Sequence, residues 1–596
     1  MPPAPVTVVA LVAEPVTAMP RAAGAARRRR WWPYGLVVVL LAALGGCGIS
    51  ATDTPVDEGD PVSSGDVSLG TEAPPTEDKA TTPADQVTNF LKVAAGGLAS
   101  ATERVKRYLT QEAREAWQDP PNPENPPLTV IRLLGTPITG AVIGDTTPVT
   151  VKYQVVGTMT GGLGRIEDLA DPSERQMRFD IVGDASGSLR ISRIDYLGSP
   201  PQGLLLSDAA LSEYYLTRPI YFWDSGYATL VPDVRYVPRT VTPDKRSTLL
   251  LEGLLGGPSS WLSGGVQRLP AGTAKAGDVV TGTDGTLMVR LSAQETTPDA
   301  LRRLKIQLQW TLAGDTGQRV ELFVDDQPVT FDGVDYRQYN RSYVGEAVAY
   351  DVADNKVVGI SITPPVLSAV ENANVVAAAI GDKSALAAFV RTDGPNRRYL
   401  QFVRAGRQGH VDAQFGRIAT LGRPSFVPGT DVVLVPTGAN GHLLAVSAAD
   451  GSYANALHSV DGVTAVAVSP DGRRVAFVAD GQVYVSYLIV GNNSVTVGSS
   501  PRPILPGQAD VSAVTWTSES ELKVGGATAI WRVTADGGFA ENQSGKLNGL
   551  RILDLVCNPE WRAQGQVGVY ATTQQGVYSF RNTFVPTQLH APFFGY

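Results

Sequence analysis

Residues 463–485 set the strongest limit on what this chain can fold into. They read Val-Thr-Ala-Val-Ala-Val-Ser-Pro-Asp-Gly-Arg-Arg-Val-Ala-Phe-Val-Ala-Asp-Gly-Gln-Val-Tyr-Val. Two Asp-Gly pairs separate three runs rich in β-branched and aromatic residues, the pattern of strand, tight turn, strand, tight turn, strand. Equivalent turns fall near Asp382, Pro428, Pro470, Ser518 and Pro559, at spacings of 46, 42, 48 and 41 residues. That period is the length of a four-stranded propeller blade. Residues 371–596 leave room for about five blades, and a sixth becomes available if 345–362 pairs with 574–584. A β-sandwich or a β-solenoid also strings short strands together; the blade-length period favours the propeller over both.

Two smaller modules precede the repeats. In the first, 86–200, residues 86–117 read as two amphipathic helices: Val87, Phe90, Leu91 and Ala94 share one face, Gly96-Gly97 interrupts, and Val105, Tyr108, Leu109 and Trp117 continue. A proline-rich stop over 119–127 follows, then strand-like runs at 128–134, 149–159, 177–182 and 189–196. Helices followed by a curved antiparallel sheet suggest an α+β module of the cystatin or NTF2-like kind. A short helix is expected at 208–216. The aromatic cluster Tyr214, Tyr215, Tyr221, Phe222, Trp223 and Tyr227 lies at the junction of the modules, where packing one onto the other is its expected role; docking a glycan or a protein is the alternative.

The second module, 219–335, alternates strand and helix signals. Residues 229–237 read as a strand. Residues 243–256 read as a helix ended by Gly256-Gly257-Pro258, and 287–291 as a strand. Leu301, Leu304, Leu308 and Leu312 form a helical stripe, and 319–324 a further strand. The segments Leu250-Leu-Glu-Gly-Leu-Leu-Gly-Gly-Pro258, Leu269-Pro-Ala-Gly-Thr273 and Phe323-Val-Asp-Asp-Gln-Pro328 resemble a GerMN (sporulation and germination) domain, which carries no known catalytic group. The fold class is therefore multidomain: two α+β modules, then an all-β propeller of about five blades.

The N-terminal end addresses the chain. Four arginines, Arg27 to Arg30, precede a short apolar run that ends Leu44-Gly45-Gly46-Cys47. This resembles a bacterial lipoprotein signal over 1–46 with its lipobox. Cleavage is expected between Gly46 and Cys47, with S-diacylglycerol and N-acyl groups on Cys47. The uninterrupted run from Leu36 to Leu44 is 9 residues, short of the roughly 20 that a membrane-spanning helix needs. A cleaved secretory signal without lipid and a twin-arginine signal are the other readings. Met19 competes with Met1 as the start. Residues 47–85 hold nine acidic residues and one lysine. Their Pro-, Ser- and Thr-rich composition buries too little to offset chain entropy and reads as a disordered acidic tether.

Charge and motif content exclude several classes. The whole chain carries −8, and removing 1–46 leaves −12, which opposes nucleic-acid binding. The four histidines, His410, His442, His458 and His590, form no metal-ligand spacing. There is no nucleophile elbow, Walker loop or complete dinucleotide fingerprint. Asp325, Asp326 and Asp332 read as turn residues between strands. Once Cys47 is acylated, Cys557 has no partner and is expected to be a small core residue. No catalytic residue, cofactor or metal is expected, and the chain is not expected to be an enzyme.

Taken in order, lipobox, tether, α+β module, GerMN-like module and propeller resemble the LpqB family of actinobacterial lipoproteins. That resemblance implies a lipid-anchored protein on the outer face of the cytoplasmic membrane. It further implies an accessory role toward the extracellular domain of an MtrB-like sensor kinase in a two-component system, with effects on envelope homeostasis and cell division. The expected partners are thus the bilayer, through acylated Cys47, and the kinase ectodomain, with peptidoglycan as a further candidate. A propeller that binds or processes cell-wall glycan, or a non-regulatory envelope scaffold, are the alternatives.

Overall fold

The computed structural model describes residues 73–595, apart from 161–163, 168–172, 185–186, 199, 315, 341–347, 361–364, 370–371, 382–384, 492, 559–567 and 581–582. The lipobox Leu44-Gly45-Gly46-Cys47 and the turns at Asp382 and Pro559 lie outside the described residues.

The chain is ordered on the first module earlier than its composition suggests. Tyr108 Oη donates to the Pro75 carbonyl (2.7 Å), and Arg190 pairs with Asp78 (2.7 Å). Helix α1 (Pro83–Phe90) starts two residues before the expected tether ends. Thr82 and Asp85 cap its first turn reciprocally, with Pro83 opening the helix. The tether reading at 73–85 is therefore corrected: the capping box outweighs the acidic composition.

The second expected helix is broken into α2 (Ala101–Arg107) and α3 (Gln111–Glu115). Between them the backbone of Tyr108 and Thr110 bonds Ile191 as a strand neighbour would, and the Thr110 side chain caps α3.

The helices cover a sheet of β1 (Leu128–Leu133), β2 (Ile138–Thr139), β3 (Thr146–Thr160), β4 (Arg165–Glu167), β5 (Arg175–Gly183), β6 (Leu189–Leu197) and β7 (Leu204–Ser207). Its order is β6-β5-β3-β1-β7, with β2 and β4 also on β3; β1 and β7 run parallel and the rest antiparallel. The sheet thus runs past residue 200, and Ser207 at its end caps α4 (Asp208–Tyr214).

In the second module, β8 (Tyr215–Trp223) and β9 (Leu230–Pro238) form a hairpin, followed by α5 (Pro243–Leu255). A sheet then orders β10 (Ala274–Lys275), β12 (Leu287–Ser292), β13 (Val320–Val324) and β14 (Gln327–Val329), with β11 (Val280–Thr281) on β12. Parallel β12 and β13 are joined through α6 (Pro298–Leu312), whose Leu304 and Leu308 are buried.

The Gly256-Gly257-Pro258 motif has a physical role here. Gly257, at φ +86°, turns its carbonyl to the buried Arg235 guanidinium (2.9 Å). Arg235 also pairs with Asp233 (3.0 Å), and Asp233 accepts from both the amide and the hydroxyl of Ser259. A side chain at position 257 would meet the Arg268 guanidinium, in a backbone region that only glycine enters without strain.

The aromatic cluster splits. Tyr214, Tyr215 and Phe222 join the main core, whereas Tyr221 and Trp223 pack on Ile306 and Trp310 of α6 and on Tyr336 and Tyr339. The expected inter-module role therefore fails for Tyr221 and Trp223: α6, not the first module, covers their face of the hairpin.

The remaining strands make a ring. Five antiparallel sheets cover 375–412, 425–455, 463–503, 513–542 and 552–586; the third has its outer strand in two pieces. A sixth sheet holds three strands: β15 (Val348–Ala353), β16 (Lys356–Gly359) and the closing strand Pro592–Gly595. The sixth blade therefore exists, with a different partner from the expected 574–584. Gly576–Phe580 is already paired on both edges inside the fifth sheet. At the outer edge of β16, the Asn372 carboxamide bonds both the amide (2.9 Å) and the carbonyl (2.6 Å) of Val357, occupying groups a fourth strand would use.

Candidate functional site

The innermost strands of all six sheets converge on one narrow channel. Ile380, Phe426, Val466, Trp516, Cys557 and Phe593 line it, each from a different sheet, with Arg423 at its side. Strand alternation points these residues inward, and their bulk leaves about 40 Å³. That holds one or two waters, against the roughly 300–1,000 Å³ of pockets that enclose small molecules. Cys557 is buried, as a core residue. Arg423 does not face a substrate space; it donates to Asp554 (2.8 Å) and to the Leu555 carbonyl (3.0 Å).

The histidines are dispersed. His442 meets Asp461 (2.9 Å), His590 meets Asp351 (3.3 Å) and His410 lies 3.8 Å from Asp412. Among the described residues no three His, Cys, Asp or Glu side chains converge as metal ligands. Asp325 and Asp326 occupy the β13–β14 turn with φ of 49° and 62°, the left-handed pair that a two-residue hairpin requires.

The unexpected feature is a buried polar seam between the two modules and the third and fourth sheets of the ring. Asp224, in the β8–β9 turn, pairs with Arg473 (2.7 Å), which follows the Asp-Gly turn of the third sheet. Tyr236 of β9 donates to Asp536 (2.9 Å) and lies 3.0 Å from Thr534 Oγ1. Arg132 of β1 pairs with Asp208 (2.9 Å) and donates to the Gly537 carbonyl (3.0 Å). Arg502 donates to the Ile166 carbonyl (3.2 Å). Gly538 has no side chain because Tyr236 Oη and Ile166 occupy the space a Cβ would take.

Burial pushes the Tyr236 hydroxyl well above its ordinary range, and the Asp536 carboxylate adds to the shift. Burial also pushes the Asp208 carboxyl up, with the Arg132 guanidinium opposing it. Apolar side chains continue across the seam: one cluster runs from Val87 and Leu128 through Leu251 and Val289 to Val478, Val485 and Val533. Modules and ring share one core, so whatever surface this body presents is held rigidly. The sequence carried one signal of this seam, an arginine inside the apolar strand Leu128-Thr-Val-Ile-Arg132-Leu; its partners lie too far along the chain for local pattern to name them.

Known proteins match these parts separately and together. Residues 354–583 match the family described as the lipoprotein LpqB beta-propeller domain, and 219–330 the family described as sporulation and spore germination. The chain resembles the LpqB lipoproteins along most of its length. Lipoprotein LpqB of Corynebacterium jeikeium is 24% identical over 556 residues, covering 86% of this chain and 88% of the relative. That of Corynebacterium diphtheriae is 24% identical over 479 residues, 74% of this chain and 77% of the relative. LpqB of Mycolicibacterium smegmatis is 29% identical over 319 residues, 49% of each chain. Among solved structures, TolB from Acinetobacter baumannii matches 42% of this chain and 67% of its own at 12% identity, with a TM-score of 0.30. A chain of the nidogen/laminin complex matches 42% and 98% at 7% identity, with a TM-score of 0.31. Those scores carry no argument about this chain. The LpqB relatives are named as lipoproteins, and among the described residues no helix is long and apolar enough to cross a membrane.

Proposed function

We propose that this chain is a lipid-anchored accessory protein on the outer face of the cytoplasmic membrane. It binds the extracellular domain of an MtrB-like sensor kinase and tunes that kinase in envelope homeostasis. The observation that carries this reading is the pairing, in one chain and in this order, of a germination-type domain and an LpqB-type propeller behind the Leu44-Gly45-Gly46-Cys47 lipobox. The shared core supports it, because a rigid body loses little freedom when it docks. Anchoring supports it too: lipid confines the body to the kinase's own surface, so weak contacts suffice. The narrowness of the channel, about 40 Å³, weighs against a glycan processed inside the ring.

The test is a pull-down of the Cys47→Ala protein on purified sensor ectodomains and on peptidoglycan fragments, followed by kinase autophosphorylation with and without the acylated protein in vesicles. Binding to the ectodomain with a changed phosphorylation rate supports the proposal. Binding without a rate change leaves a scaffold, and retention on peptidoglycan alone refutes it.

A further inference from the structure

One ion pair spans the ring. The innermost strands touch in the cyclic order Val375–Gly381, Ser425–Phe426, Val463–Val468, Ala513–Trp516, Ile552–Asn558, Pro592–Gly595 and back to the first. The second and fifth sheets are therefore three steps apart in either direction, facing each other across the axis. Arg423, two residues ahead of the second inner strand, donates to Asp554 (2.8 Å) and to the Leu555 carbonyl (3.0 Å) of the fifth.

The carboxylate is not something the blade requires. The inner strands of the first, third and fifth sheets each open with a β-bulge, at Val375/Ala377, Val463/Ala465 and Ile552/Asp554. A bulge re-aims the side chain beside it. In the first and third sheets the residue that resumes the pairing is alanine. In the fifth it is Asp554, opposite the arginine.

The pair stands at the end of the channel away from the modules. Phe426, Val468 and Trp516 end their strands. The turns that follow Val468 and Trp516 carry Arg473 and Glu519, which hold Asp224 and Tyr221 of the second module. Arg423 and Asp554 stand at the beginnings of their strands, hence at the opposite mouth. Between that mouth and the bulky end lie about 40 Å³, with Cys557 in the wall. Each inner strand has a sheet neighbour on one edge only, so its other edge turns amides and carbonyls toward the channel.

We propose that Arg423 and Asp554 form a removable bolt across this mouth, and that withdrawing it opens the inner edges of the ring to small polar solutes. The two side chains are 29 and 38% exposed. Exposed pairs hold weakly and are screened by salt, which suits a bolt that slides and not a fixed rivet of the fold.

The test uses the full Cys47→Ala chain, in which Cys557 is the remaining cysteine. Its methylthiolation by methyl methanethiosulfonate is followed by mass spectrometry. Arg423→Gln and Asp554→Asn should each speed the reaction on the order of tenfold, and urea well below the unfolding midpoint should leave those rates level, because a local opening exposes little surface. In roughly 1 M sodium chloride, where the screening length falls to about 3 Å, the parent should react faster and Arg423→Gln should not change. A variant rate equal to the parent's overturns the bolt, as does a parent rate indifferent to salt. A rise that climbs with urea in step with global unfolding overturns it too, because the pair then serves stability alone.

Discussion

Arg473→Met isolates the seam between the second module and the ring. Asp224 and Arg473 have side chains 6 and 9% exposed, so neither is relieved by solvent when its partner goes. Asp224 would keep two amide donors, Ala228 (2.6 Å) and Thr229 (3.2 Å), and these compensate part of its charge. Breaking a buried pair from one side costs about 3–5 kcal/mol. The amides put the expected loss at the lower end, about 3 kcal/mol, or roughly two orders of magnitude in the opening equilibrium. Asp224→Asn removes the charge and keeps an acceptor for the amides, so the double variant should recover about 1–2 kcal/mol of that loss. The assay is a double-mutant cycle by urea unfolding, followed through the buried Trp223 and Trp516 that flank the seam. Effects of the two substitutions that add within about 0.5 kcal/mol would refute the claim that this pair couples module to ring.

Other consequences follow from the same packing. Gly538→Ala places a methyl group against Tyr236 Oη and Ile166 Cδ1; overpacking should cost about 1–3 kcal/mol and raise hydrogen exchange in β9. Phe593→Ala removes a ring that packs tilted against Tyr350, centroids 5.3 Å apart, and is buried to 2% exposure. It should cost about 3–5 kcal/mol, read as lost exchange protection in β15, whereas Val358→Ala on the exposed side of the same sheet should leave it unchanged. Alkali should destabilise the protein. Burial raises Tyr236, Tyr215 and Tyr108 above the ordinary phenol value and pushes Tyr196 up to about 12. Unfolded tyrosines ionise near pH 10 while these hold their protons, so the unfolded state loses protons first. Stability is then full below about pH 10 and falls as pH rises toward the folded values. A urea midpoint that stays flat from pH 9 to pH 11.5 would contradict this.

Periodicity made much of the architecture readable. The blade-length repeat around Val463, the leucine stripe on α6 and the glycine stop after α5 each express a local rule, and each element stands where that rule puts it. The end of the tether was readable as well: Thr82-Pro-Ala-Asp85 is a capping box, but the acidic composition around it dominated the reading. The ring's closure was not readable, because a strand as short as Pro592-Phe-Phe-Gly595 has no period of its own. The seam was hidden for another reason. Asp224 and Arg473 are 249 residues apart, and Arg132 and Gly537 are 405; local pattern identifies a charged residue inside a strand without naming what neutralises it.

The last sheet of the ring also sets a timetable. A ribosome delivers Val348–Ala353 early, and the segment that completes that sheet comes about 240 residues later. Throughout that interval a nascent ring has an unfinished inner edge, able to pair with any extended segment nearby. A substitution that weakens the final clasp therefore acts first on yield, through capture by holding chaperones or loss to aggregates, and only afterwards on the finished molecule.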